Sequence, residues 1–170
     1  MSLRKIVAKQ LARRALKTIN KWAENPIETQ QRVFEQLIQK AKHTDFGKAH
    51  GFDQIQNHKD FIKRVPIADY EGLRPYVDRV VAGEADVLWP GKPLYFAKTS
   101  GTTSGAKYIP LTKESMPTHI DAAKNALFCH IEATGDASFV DGRMIFLQGS
   151  PILEEKNGIA LGRLSGIVAH

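Results

Sequence analysis

Between residues 94 and 111 the chain places seven consecutive residues drawn only from Ser, Thr and Gly between two short strand-like runs. The runs are 94–98 and 107–111, each with the apolar and aromatic character of a strand. The insert is Thr99-Ser100-Gly101-Thr102-Thr103-Ser104-Gly105, and Ala106 separates it from Lys107. A loop of this composition lets backbone N–H groups converge on an anion without side-chain obstruction, while the hydroxyls donate further hydrogen bonds. Lys107 adds a compact positive charge suited to phosphate oxygens. A Walker A loop is excluded, because its second Gly would fall on Ala106 and its Ser/Thr on Tyr108, and a strand follows where a helix should. The same composition is also ordinary for an exposed hairpin turn.

The flanking text is helical before the loop and mixed after it. Residues 3–22 predict an amphipathic helix, with Val7, Leu11, Ala15 and Trp22 on one face beside Ala8, Ala12 and Ile19. Lys5, Lys9, Arg13, Lys17 and Lys21 stand at strict i,i+4 spacing, where like charges repel by roughly 0.2–0.5 kcal/mol per pair. The apolar side is expected to dock on the next helix. That helix is signalled by Asn25 as cap, Pro26 in its first position and Glu28 in its first turn, with Val33, Phe34, Leu37, Ile38 and Ala41 as its buried stripe. The stretch TDFGKAHGF reads as loop, with Gly47 and Gly51 as stop signals. Helices follow over 57–64, capped by Asn57, and 69–82, parted by Pro66.

Beyond the loop, Thr112 caps a helix over 113–134 with Ile120, Ala123, Ala126, Leu127 and Ile131 facing the core. Residues 144–148 read as a core strand. Residues 152–155 and 159–161 flank an Asn157-Gly158 hairpin turn. Arg163 is a candidate contact for a carboxylate or phosphate.

Charge and cysteine content narrow the function classes. The net charge is +6, yet residues 1–21 hold seven basic side chains and no acid, while the remainder carries 17 basic against 18 acidic residues. The basicity therefore belongs to one segment. A single Cys129 excludes an internal disulfide framework, and no Cys/His spacing suggests a metal site. Apolar runs fall short of the roughly 18–20 residues that span a bilayer, which points to a reducing, cytoplasmic setting.

The motif TSGTTSGAKYIP is similar to the signature loop of adenylate-forming enzymes. In the variant closed by Lys-Tyr-Ile-Pro it resembles the auxin-responsive promoter family of acyl-acid amido synthetases. The flanks TDFGKAHGF, DFIKRVPIADYEGLRPYVDRV, AGEADVLWPGKP and FLQGSPILEEKNGIALGRLSGIVAH look like bacterial members of that family. One departure is the absence of Pro before Lys107. The resemblance implies an α/β fold: a helical amino-terminal layer, then the first strands and helix of a mixed sheet belonging to a larger adenylate-forming domain. Residues 1–90 would be mainly helical, 91–170 would supply strand–loop–strand, helix and sheet segment, and the carboxy-terminal domain would be absent.

It further implies ATP-dependent activation of a small carboxylic acid as an acyl-adenylate and its conjugation to an amino acid. ATP and Mg²⁺ would be held by Thr99, Ser100, Gly101, Thr102, Thr103, Ser104, Gly105 and Lys107; no catalytic residue is assigned. The adenine, ribose and α-phosphate motifs would lie downstream, so the chain is expected to be truncated, inactive by itself and given to self-association. No nucleic acid or membrane partner is expected. The alternatives are a non-catalytic nucleotide- or phosphate-binding module, and a protein whose basic helix meets a membrane or nucleic-acid surface.

Overall fold

The computed structural model describes residues 2–99 and 106–169. Its elements run in the order α1 (Leu3–Glu24), α2 (Pro26–Ala41), α3 (Asp45–Ala49), α4 (His58–Arg64), α5 (Tyr70–Val81), β1 (Tyr95–Thr99), β2 (Lys107–Leu111), α6 (Met116–Thr134), β3 (Glu154–Lys156), β4 (Ile159–Gly162) and α7 (Leu164–Ala169). The chain divides into two compact units. One joins residues 1–29 to 116–147; the other joins 30–115 to 148–170.

In the first unit the small side of α1 is the buried side. Ala12 is fully buried and packs with Ile131 of α6 and with Ala137, while Ala8, Phe128 and Phe139 close round them. The helix covering α1 is thus α6, about a hundred residues on, in place of the next helix in the chain. Val7, Leu11 and Trp22, expected on the packed face, remain 44–48% exposed. Alanines permit the close approach that the larger side chains would block. Lys5, at the head of the basic stripe, finds an acid: its Nζ lies 3.2 Å from Asp141. Ser2 caps α1 and donates its hydroxyl to the same carboxylate at 2.7 Å. The Ser2 hydrogen bond and the Lys5 charge hold the Asp141 carboxyl below its usual range.

The second unit is built round a four-stranded mixed sheet in the order β2-β1-β4-β3. β1 and β2 are antiparallel, β1 and β4 parallel, β3 and β4 antiparallel. Phe96 of central β1 is fully buried in one core with Val77, Val80 and Val81 of α5, Val87, and Ile159 and Leu161 of β4. The Asn157-Gly158 turn takes left-handed φ values at both residues (51° and 79°), the two-residue geometry that suits a right-twisted hairpin. Asn157 also donates from Nδ2 to the Val81 carbonyl at 2.6 Å, fastening the hairpin to the end of α5. A second core gathers Ile38, Ala41, Phe52 and Ile55 with Phe34, Phe46 and Phe61 around it.

Two further sequence expectations are corrected. TDFGKAHGF is structured: Thr44 caps α3, accepting from the Gly47 N–H at 3.0 Å and donating to the Ala41 carbonyl at 2.7 Å. Gly47 lies inside the helix, where only glycine fits, because a Cβ there would land on the Ala41 carbonyl oxygen. Residues 144–148 are not a strand. Ile145 and Leu147 are 88% and 98% exposed, and no strand among the described residues pairs with this run. Its apolar content marks a surface segment, since a strand forms only where a ladder partner is supplied.

Candidate functional site

The strand–loop–strand pattern is realised in the backbone. β1 and β2 pair so that Thr99 faces Lys107 as the last couple before the loop. Of the eight residues expected to bind phosphate, Thr99 and Lys107 are thereby brought together at the mouth of the hairpin. Ser100, Gly101, Thr102, Thr103, Ser104 and Gly105 lie outside the described residues.

Lys107 is half-buried against α5. Its Nζ stands 5.3 Å from the centroid of the Tyr70 ring, within cation–π range. Tyr70 is the first residue of α5, set by Asp69, whose side chain accepts from the Gly72 N–H at 2.9 Å. The Tyr70 hydroxyl accepts from the Tyr108 N–H at 3.0 Å, tying the start of β2 to the start of α5. The Arg74 guanidinium lies 5.8 Å from the same ring, and its Nη2 bonds Glu71 at 2.8 Å. Among the described residues, no carboxylate pairs with Lys107. Its charge therefore has an aromatic neighbour and, among the described residues, no carboxylate partner.

A groove of about 330 Å³ opens beside this mouth, at the carboxyl ends of parallel β1 and β4. Ligands of α/β sheets bind at that end of the strands, where loops diverge and backbone groups are free. Its walls include Lys98, Thr99, Ser150, Glu154, Gly162 and Arg163. The Lys98 Nζ reaches Glu154 at 3.8 Å, an exposed and weak pair. Arg163 enters the groove with no carboxylate partner among the described residues. Close packing places it there. A Cβ on Gly162 would meet Leu153 Cδ2 at 2.5 Å, and one on Gly166 would land on the Ser150 carbonyl oxygen. The Gly149 N–H donates to Ser165 at 2.9 Å, closing the 149–150 segment over the start of α7. The arrangement suits a ligand with an anionic end. The described residues contain no group of three or more His, Cys, Asp or Glu able to hold a metal ion, and no helix is long and apolar enough to cross a membrane.

Sequence reasoning named Thr99 and Lys107, which the structure sets opposite each other at the hairpin mouth, and Arg163, which lines the adjoining groove. It did not name Tyr70, Lys98 or Ser150, and Tyr70 and Ser150 reach this region only through partners far along the chain. Tyr70, for example, meets Lys107 and Tyr108 only through the packing of α5 on β2.

Comparison with known proteins agrees with the resemblance read from the loop. Residues 15–170 match the family model described as the GH3 family N-terminal domain. Indole-3-acetic acid-amido synthetase GH3.15 of Arabidopsis thaliana is 30% identical over 117 residues, 66% of this chain and 20% of that protein. Jasmonoyl-L-amino acid synthetase JAR4 of Nicotiana attenuata is 24% identical over 136 residues, 78% of this chain and 23% of its own length. The chain thus spans about a fifth of the length of these curated relatives. The solved GH3.15 acyl acid amido synthetase superposes with a TM-score of 0.79 over 90% of this chain and 28% of that one, at 23% identity, and shares its mixed α/β fold. This chain belongs to the GH3 family, its residues 15–170 matching the family's N-terminal domain.

Proposed function

We propose that the chain supplies the phosphate-binding hairpin of an ATP-dependent acyl-acid amido synthetase. The observation that carries this is the Thr99–Lys107 mouth: a Ser/Thr/Gly run closed by an ammonium that no carboxylate of the described residues neutralises. Relatives named for joining indole-3-acetic or jasmonic acid to amino acids support the same class of reaction. In that reaction a carboxylate oxygen bonds to the α-phosphorus of ATP while the bond to pyrophosphate breaks. An amino group then bonds to the acyl carbon, AMP leaves, and the nitrogen loses a proton.

The task of this chain is charge management. Pyrophosphate departs with growing negative charge, and preformed donors aimed at it stabilise the departure without reorganising. Lys107, the loop hydroxyls and the loop N–H groups would hold the β- and γ-phosphates. The groove residues Lys98 and Arg163 would face the anionic end of the reactants at the adjoining strand ends. The donor set fits phosphate oxygens better than a bare cation, since Glu154 is the only carboxylate lining the groove among the described residues. A Mg²⁺ ion would therefore arrive on the ATP phosphates and neutralise part of their charge.

Lys107→Ala is expected to weaken binding of Mg·ATP or pyrophosphate by about tenfold or more, because one charge-assisted contact contributes roughly 1.5–3 kcal/mol. Isothermal titration calorimetry measures it. Unchanged affinity would remove the hairpin from the site.

A further inference from the structure

We infer that Tyr70 is the positioning residue for Lys107, its ring holding the ammonium at the mouth of the hairpin, an inference that rests on the phosphate-loop reading above. A lysine closing a loop is a charge on four rotatable bonds, and in water it samples many positions. An anion site gains most when its cation stands ready before the ligand arrives. A carboxylate neighbour would fix the ammonium and cancel its charge. An aromatic face attracts the ammonium through its quadrupole and leaves the charge intact.

Tyr70 meets both needs. Its ring centroid is 5.3 Å from the Lys107 Nζ. Its hydroxyl accepts from the Tyr108 N–H at 3.0 Å, so the residue that carries the ring also sets the height of β2 against α5. The helix that bears the ring is fastened at both ends. Asp69 caps the turn that bears it, and Asn157 ties the far end of α5 to the β3–β4 turn through the Val81 carbonyl.

The test is calorimetric titration of inorganic pyrophosphate into the chain and into K107A, Y70F, Y70L and the Y70L/K107A double variant. Tyr70→Leu removes the ring and is expected to weaken binding about three- to fivefold, the size of a partly exposed cation–π contact. Tyr70→Phe keeps the ring, loses only the hydroxyl bond to Tyr108, and is expected to bind within about twofold of the parent on the same scale. In the Lys107→Ala background, Tyr70→Leu should have no further effect.

Full affinity in Lys107→Ala overturns the phosphate-loop reading and this inference with it. A weakened Lys107→Ala in which Tyr70→Leu costs the same factor again overturns the inference alone, as does a Phe variant as weak as the Leu variant. A check that needs no variant is the nuclear Overhauser effect between the Lys107 Hε protons and the Tyr70 ring protons in the parent chain. Its presence supports the placement, and its absence overturns it.

Discussion

Phe96→Ala is expected to destabilise the second unit by about 3–5 kcal/mol, the range found when a fully buried aromatic is truncated. Phe96 has no exposed surface and lies on central strand β1, where α5 and β4 close over it. Its ring also meets Tyr108 edge-on at 6.1 Å between centroids. The cavity left by alanine would lie among Val77 and Val80 of α5, Val87 and Leu161 of β4, whose backbones are fixed in three different segments and cannot collapse together. Domains of this size are stable by only about 5–15 kcal/mol, so the loss is a large share of the whole. Denaturant titration followed by circular dichroism measures it. A loss under about 1 kcal/mol would mean that the sheet is not centred on Phe96.

Gly47→Ala is expected to destabilise the same unit by about 3 kcal/mol, at the upper end of ordinary overpacking. The sign is not obvious from helix propensity. Alanine within a helix is favoured over glycine by about 0.5–1 kcal/mol, which alone predicts a gain. Space decides otherwise, because the new Cβ would land on the Ala41 carbonyl oxygen. That carbonyl is backbone and already accepts the Thr44 N–H at 3.0 Å and the Thr44 hydroxyl at 2.7 Å. Admitting the methyl would displace α3 from the end of α2 and break the Thr44 cap. A melting temperature higher than the parent's would contradict this.

These two residues show what the sequence displays and what it conceals. Where structure is set by neighbours within a few positions, it was legible. Asn57 caps α4 as expected, α5 lies within a residue of its expected bounds, and Asn157-Gly158 turns the β3–β4 hairpin. The strands round the Ser/Thr/Gly run stand within a residue of expectation. Where a distant partner decides, local pattern misled. Gly47 read as a stop because glycine usually ends helices, yet its role comes from a carbonyl on the preceding helix. The signal present was Thr44 followed by Asp45, a cap and a first-turn acid. Residues 144–148 have strand composition and no ladder partner. α1 shows a broad apolar face, and only its alanine edge matches the surface of α6.

The candidate site divides the same way. The place of Lys107 was legible, because it closes the Ser/Thr/Gly run and the family resemblance marks that position, and the structure sets it opposite Thr99 at the hairpin mouth. The ring that holds it was not, since Tyr70 lies 37 positions earlier and reaches Lys107 only through the docking of α5 on β2.

The central claim is that the β1–β2 hairpin receives phosphate. Amide chemical-shift mapping of the chain during titration with inorganic pyrophosphate tests it most directly. The account predicts saturable shifts concentrated from Lys98 to Tyr108, with a second group round Arg163 and Ser150, all diminished in Lys107→Ala. Shifts confined to Arg4, Lys5, Lys9, Arg13, Arg14, Lys17 and Lys21 of α1, or no saturable shifts between Lys98 and Tyr108, would contradict it.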